Sequence, residues 1–310
     1  MRKNTLLLAG GFVLLWNSGF IGAEYALPYT GSFTLLFWRY LALTFLIYFY
    51  LQITNRFRWV ERRIMAPHLI VGVLAHGVWL SCVLLSLEYE VPAGIIALVV
   101  ALQPMATGAF SRIVVGESTP LYRWMGLIIG FAGVAISVLS RINFSDAASV
   151  FGYFIPFGSV IAITAASLIQ RKMEVRNTAY RLPVDLALFY QCLATTLALA
   201  LPAIALEQLQ TEWNPRFIST MLWLIFGVSL GAYALMWLLI ERMEATRVAS
   251  LFYFGPPVTM LMAWIAFGDT LTLMDIIGLI VIFAGVLLTQ KKKGAPVPSC
   301  RSIILILWSL

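Results

Sequence analysis

The sequence predicts an all-α membrane protein of ten transmembrane helices, arranged as two inverted five-helix repeats with both termini in the cytoplasm. Three observations predict it. First, the 310 residues are 61% hydrophobic and only 11% charged, with a mean hydropathy of +0.90. Soluble domains carry roughly 25% charged residues, so this chain has too few to cover a surface in water, and the bilayer is its natural solvent. Second, apolar windows of about 20 residues, the length that crosses a bilayer, recur along the whole chain. Third, the basic residues alternate between the loops in the pattern such windows demand.

The windows fall near 5–26, 32–52, 66–86, 93–114, 121–140, 149–170, 183–205, 217–240, 247–267 and 271–289. Arg2 and Lys3 ahead of the first resemble the start of a secretory leader. That apolar run continues to about Leu27 and another follows almost at once, which predicts an uncleaved first helix. A mature chain beginning near Tyr25 is the alternative. With the N-terminus in the cytoplasm, 18 of the 21 Lys and Arg residues fall in cytoplasmic segments and only Arg141 and Arg216 fall outside. Arg39 lies within the second span. Cytoplasmic loops are rich in Lys and Arg, so one pattern supports the count, the orientation and the class. It also assigns the net charge of +7 to the membrane surface rather than to a nucleic acid.

The remaining chemistry excludes more than it offers. Cys82, Cys192 and Cys300 are too dispersed for a disulfide framework, and read as packing residues. His68 and His76 have no nearby cysteine pair, so no metal site is expected. No GxxxxGK[ST] run is present, so ATP is not the expected driver and no cofactor is implied. The expected partners are the lipid bilayer and a small-molecule substrate. The tail after Lys293 holds only a short apolar run, Ile303 to Trp308, which cannot span.

An internal repeat organises the chain. "GLIIGFAGV" (Gly126–Val134) and "GLIVIFAGV" (Gly278–Val286) match at seven of nine positions with an offset of 152. At the same offset Gly116-Glu117 aligns with Gly268-Asp269, and Pro104 with Pro256. The divisions expected are 1–141, 148–290 and a cytoplasmic tail, 291–310. Five helices per half is odd, so the second half enters the membrane upside down relative to the first. Inverted repeats suit alternating access, with a substrate site near the midplane between the halves.

Several stretches resemble the ten-helix EamA-type transporters of the drug/metabolite transporter superfamily. These are "LWNSGFIGAEYAL" in the first span, "FWRYLAL" in the second, and the Pro, Gly-Glu, glycine-rich series of spans four and five with its repeat in nine and ten. Gly268-Asp269 replaces the commoner Gly-Glu of that pattern. The resemblance implies multi-pass transport of a small molecule across the bacterial inner membrane, often export of amino acids or related metabolites. It implies no particular substrate.

Polar groups inside a bilayer usually face the bundle interior or a wet cavity. Asn17 and Trp16 are read either as cavity wall or, for Asn17, as interhelical glue, with Ser18, Gly19 and Gly22 allowing close packing. Glu24 and Arg39 lie at similar depth and are expected to pair; the alternative is that Arg39 captures a substrate carboxylate. His76, with Trp79 three residues on, is either a substrate contact, a proton-coupling group or a neutral core histidine. Gln103 beside Pro104, and Tyr233, Trp237, Tyr253 and Trp264 in the second half, complete the expected substrate-binding set, each with packing as its alternative. Pro104, Pro256 and Pro257 are expected to kink their helices at repeat-related positions and serve as gating points. Gly126 with Gly130, and Gly227 with Gly231, read as small-xxx-small helix contacts.

The function expected is thus a secondary carrier, not an enzyme. An intramembrane enzyme would need a nucleophile and base at matched depth, such as Ser18 with His76. A passive channel would conduct without saturation. A carrier of phosphorylated sugars is expected to line its pathway with several basic residues, whereas Arg39 stands alone.

Overall fold

Inside a bilayer no water satisfies a bare backbone, so each segment must bond its own N–H and C=O groups, and helices do so. A computed structural model of the chain, describing residues 3–115, 121–176, 182–242, 248 and 251–289, is helical nearly throughout and holds no β-strand among those residues. In chain order the helices are α1 (Lys3–Ala26), α2 (Ser32–Ile53), α3 (Arg62–Glu88), α4 (Ala93–Ser111), α5 (Leu121–Leu139), α6 (Ala147–Arg176), α7 (Val184–Ala205), α8 (Pro215–Leu239), α9 (Phe252–Phe267) and α10 (Leu273–Thr289). Seven are long and apolar enough to cross a membrane; α5, α9 and α10 offer shorter apolar stretches, Trp124–Leu139, Phe252–Phe267 and Leu273–Leu288. Gly116-Glu117 and the tail lie outside the described residues.

Side-chain placement explains the composition. Much of each long helix faces outward, and that face is oily: Ile161 is 71% exposed and Leu201 75%. An apolar belt of this extent needs hydrocarbon rather than water against it. The chain is a multi-pass membrane protein.

Helix packing follows the offset of 152. α5 packs along α10, and α2 along α7, each pair antiparallel. α1 packs on α8 and α9, and its counterpart α6 packs on α3 and α4. Glycine sets the closest approach. A Cβ on Gly133 would lie 2.6 Å from the Gly278 carbonyl oxygen, and one on Gly285 would lie 2.6 Å from that of Gly126. The expected contact at Gly126 and Gly130 is therefore present. Of Gly227 and Gly231, only Gly231 faces another helix, where a Cβ would lie 3.6 Å from Leu15 of α1; Gly227 faces Trp223 of α8 itself. The α1–α8 contact also uses Gly19 and Gly22, which receive Val228 and Leu224.

Prolines sit differently from expectation. α4 breaks after Val100 and restarts at Gln103, with Pro104 in the new first turn. α9 begins as a 3-10 turn, Phe252–Phe254, and continues as Gly255–Phe267 with prolines at its first positions. At a helix start the missing N–H is one the helix could not have bonded anyway. Pro104, Pro256 and Pro257 thus open helical segments at paired breaks rather than kinking helix interiors. Two further irregularities lie beside the site: α3 widens into π-type turns at Val73–Val78, and α8 at Trp223–Ala232.

Candidate functional site

α1, α2, α3, α7 and α8 enclose a cavity with about 760 Å³ of non-atom space including its open mouth. Its wall is mostly apolar, with a polar cluster at one level.

Aromatic rings frame that level. Trp16 of α1 stacks on Trp79 of α3 with ring centroids 6.3 Å apart and planes 25° apart. Trp16 also lies 5.5 Å from Tyr233 of α8, and is held from behind by Phe12 and by an edge-on Phe252. Offset and edge-on ring pairs of this kind fix one another's orientation. The Trp79 indole Nε1 is buried with no hydrogen-bond partner. A donor left bare in hydrocarbon costs free energy unless something accepts from it, so its position on the cavity wall is informative.

Two polar contacts cross between the halves here. Arg39 of α2, only 6% exposed, donates from Nε and Nη2 to the Ser229 hydroxyl of α8, at 3.0 and 2.8 Å. His76 of α3 donates from Nε2 to Gln191 Oε1 of α7, at 3.3 Å. Gln191 lies 152 residues after Arg39, so the two contacts spring from equivalent positions. The π-type turns carry their partners, His76 and Ser229. Such turns recur at functional sites because they re-aim side chains within a continuous helix. Tyr40 packs on His76 at 5.4 Å, and Tyr233 at 6.4 Å. Among the described residues the cavity wall includes no Asp or Glu.

Trp16, Arg39, His76, Trp79 and Tyr233 are thus brought together. Other expected site residues lie elsewhere. Asn17 donates to Val13 O and accepts from Thr259 Oγ1 at 3.0 Å, tying α1 to α9 away from the cavity. Gln103 donates to Thr107 and Ser167, joining α4 to α6. Trp237 and Trp264 are 41% and 56% exposed on the outer face. Tyr253 packs against the main core from the 3-10 turn that opens α9.

Glu24 and Arg39 do not pair: among the described residues the side-chain ion pairs are Arg56–Asp185 and Arg141–Asp275. Arg39 turns to Ser229 of α8 instead, and one buried Glu24 carboxylate oxygen has no hydrogen-bond partner among the described residues. Ser18 accepts from Trp223 Nε1 in a separate external groove, so it does not face His76 as a nucleophile would. Tyr40, Gln191, Cys192 and Ser229 also belong to the cavity region and were not among the expected residues. Gln191 had a readable signal, its repeat relation to Arg39.

Comparison with known proteins gives the fold and cavity a context. The EamA-like transporter family matches residues 3–139 and 150–290. An uncharacterized transporter YvbV from Bacillus subtilis (strain 168) is 29% identical over 68% of this chain and 67% of its own length. An uncharacterized inner membrane transporter YedA from Escherichia coli (strain K12) is 29% identical over 73% of this chain and 72% of its own. A probable amino-acid metabolite efflux pump from Salmonella typhimurium is 22% identical over 92% of this chain and 94% of its own. A solved crystal structure superposes with a TM-score of 0.62 at 20% identity, covering 93% of this chain and 96% of that one, which shows a shared fold. These relatives are named as transporters rather than enzymes, and with two matched segments spanning nearly its whole length the chain belongs to the EamA-like transporter family.

Proposed function

We propose that the protein is a secondary carrier that moves a small amphipathic metabolite across the bacterial inner membrane by alternating access. Export of an amino acid or a related compound is the direction and class we favour. The observation that carries this reading is the convergence of Trp16, Arg39, His76, Trp79 and Tyr233, from both matched segments, on one cavity. A site built between two halves is what alternating access requires.

The same reading takes all ten apolar helices as spans, with both termini cytoplasmic and 1–141 and 148–290 as inverted repeats. Antiparallel pairing of α5 with α10 and of α2 with α7 supports the inversion, because equivalent helices in inverted repeats run in opposite directions. The basic loops support the orientation. The 16 residues Phe252–Phe267 reach roughly 24 Å at 1.5 Å per residue, so the shorter helices fit a locally thinned bilayer or one reached by flanking side chains. The paired breaks at Pro104 and Pro256 serve as bending points. The names of the inner membrane relative from Escherichia coli and of the Salmonella pump favour this location and export class.

Counterflow tests it. Liposomes holding the purified protein are preloaded with unlabelled amino acids and their derivatives, and each labelled compound is offered outside. Transient accumulation that is lost in Trp16→Ala and His76→Ala supports a carrier using this cavity. Flux that never saturates and shows no counterflow would make the protein a channel.

A further inference from the structure

Among amphipathic metabolites, we propose that the cavity selects a monocarboxylate that lacks a free ammonium group and carries an aromatic or apolar body. Keto acids, N-acylated amino acids and aryl acids belong to this class. The inference rests on the carrier reading for its biological meaning, and on the cavity's own chemistry for its content.

Charge is the first argument. Arg39 is buried and forms no ion pair among the described residues. Its Nε and Nη2 donate to a neutral hydroxyl, that of Ser229, and its guanidinium carbon lies 6.0 Å from the Tyr40 ring centroid, so no full negative charge faces it there. A buried cation without a counter-charge is costly, and a carboxylate is the group a guanidinium fork fits best. One Arg suits one negative charge.

The second argument is what a zwitterion would lack. An α-ammonium also has to be compensated on leaving water, and among the described residues no Asp or Glu lines the wall. Any site near Arg39 repels it besides. Tyr and Trp faces attract cations, but far more weakly than desolvation of an ammonium opposes its burial. Removing or acylating the amine removes that deficit.

Trp79 supplies the third argument. Its buried, unpartnered Nε1 is a donor awaiting an acceptor on the same wall. A carboxylate, keto or amide oxygen supplies one. The stacked rings of Trp16 and Trp79, with Leu80 and Leu84 beyond them, receive the apolar body.

Three probes sharing one side chain separate charge from shape: phenylpyruvate (anion), phenylalanine (zwitterion) and phenethylamine (cation). Binding is read from quenching of tryptophan fluorescence in detergent, and transport from counterflow in liposomes. Phenylpyruvate is expected to bind about tenfold or more tighter than phenylalanine, because both offer the carboxylate but only phenylalanine brings an ammonium that the wall does not compensate; phenethylamine, which has the ammonium and no carboxylate, binds weakest. Arg39→Gln removes the preference and Arg39→Lys restores part of it, while phenylalaninamide, uncharged when deprotonated, serves as a control insensitive to the Arg39 charge. The wild-type ranking decides the matter even if a variant fails to fold. Equal or tighter binding of phenylalanine overturns the proposal, as does failure of phenylpyruvate to bind folded wild-type protein. Phenylpyruvate binding without counterflow leaves the substrate class standing and overturns the carrier reading. Counterflow of phenylalanine alone does the reverse.

Discussion

Thr44 and Thr196 touch through their hydroxyl oxygens at 3.2 Å, and they are 152 residues apart, the offset of the internal repeat. Each hydroxyl also contacts the carbonyl one turn back in its own helix, Tyr40 for Thr44 and Cys192 for Thr196. Those carbonyls are related by the same offset. A residue can meet its own repeat mate only on the axis relating the halves, so this contact marks where α2 and α7 cross that axis. Three oxygen contacts share two hydroxyl protons, so the contacts trade protons and no single bond holds the pair.

That location predicts a cross-link compatible with transport. In a chain whose other cysteines are replaced, Thr44→Cys with Thr196→Cys is expected to form a disulfide on oxidation, read by mass spectrometry. An axis contact survives exchange of the two access states, so counterflow persists after cross-linking. Loss of counterflow on oxidation, regained on reduction, would show that α2 and α7 separate during the cycle.

The α5–α10 seam tolerates no side chain. Gly133→Leu and Gly285→Leu each drive carbon into a backbone carbonyl only 2.6 Å from the first added atom. Overpacking of this kind costs about 1–3 kcal/mol or more, and a clear fall in melting temperature in detergent is expected for both. Gly10→Ala is the control, because a Cβ there meets nothing within 4 Å. Its melting temperature should stay level or rise slightly.

At one end of the bundle two carboxylates cap α2. Glu207 accepts from Phe33 N and Thr34 N, and Glu88 accepts from Ser32 N. Gly31 leaves room, since a Cβ there would lie 2.2 Å from the Glu207 carboxyl carbon. Negative charge at a helix N-terminus stabilises by about 0.3–2 kcal/mol. Glu207→Gln should therefore lower the melting temperature modestly, and Gly31→Ala should do so by displacing the cap. Equal stability of Glu207→Gln and wild type would show the charge to be idle.

The Arg141–Asp275 pair joins α5 to α10 near their ends and is asymmetric. Asp275 is fully buried, whereas the Arg141 side chain is 18% exposed. The hydrogen bonds that Arg141 donates to Asp275 hold its guanidinium above its ordinary range, so it stays charged. Removing Arg141 strands a buried carboxylate, a loss of roughly 3–5 kcal/mol in enclosed pairs. Removing the Asp275 charge leaves a cation that reaches water. Thermal melts should rank Arg141→Gln below Asp275→Asn; the opposite order would show that Arg141 is the more confined partner.

How much of this was legible in the sequence follows from what periodicity encodes. Apolar windows reflect depth along the membrane normal, and they located the helices well, although α6 runs on to Arg176 and α9 begins at Phe252. The offset of 152 carried the α5–α10 seam and, read further, the relation of Gln191 to Arg39. Direction around each helix is set by neighbours the sequence does not name. That is why Glu24 and Arg39, expected to pair, do not meet, and why Trp237 and Trp264 face outward while Trp16 and Trp79 face in. Prolines showed where a helix is interrupted, but not whether it bends there or begins.

Among the described residues Arg39 is the one permanent charge on the cavity wall, and its solitude has an electrical consequence. On the monocarboxylate reading an empty carrier holds one net positive charge at its centre, and a loaded carrier holds none. A charge moved through the full membrane potential exchanges about 2.3 kcal/mol per 100 mV. Voltage then acts on the return of the empty form and leaves the loaded step nearly untouched. Clamping the potential across proteoliposomes should alter net efflux while sparing one-for-one exchange.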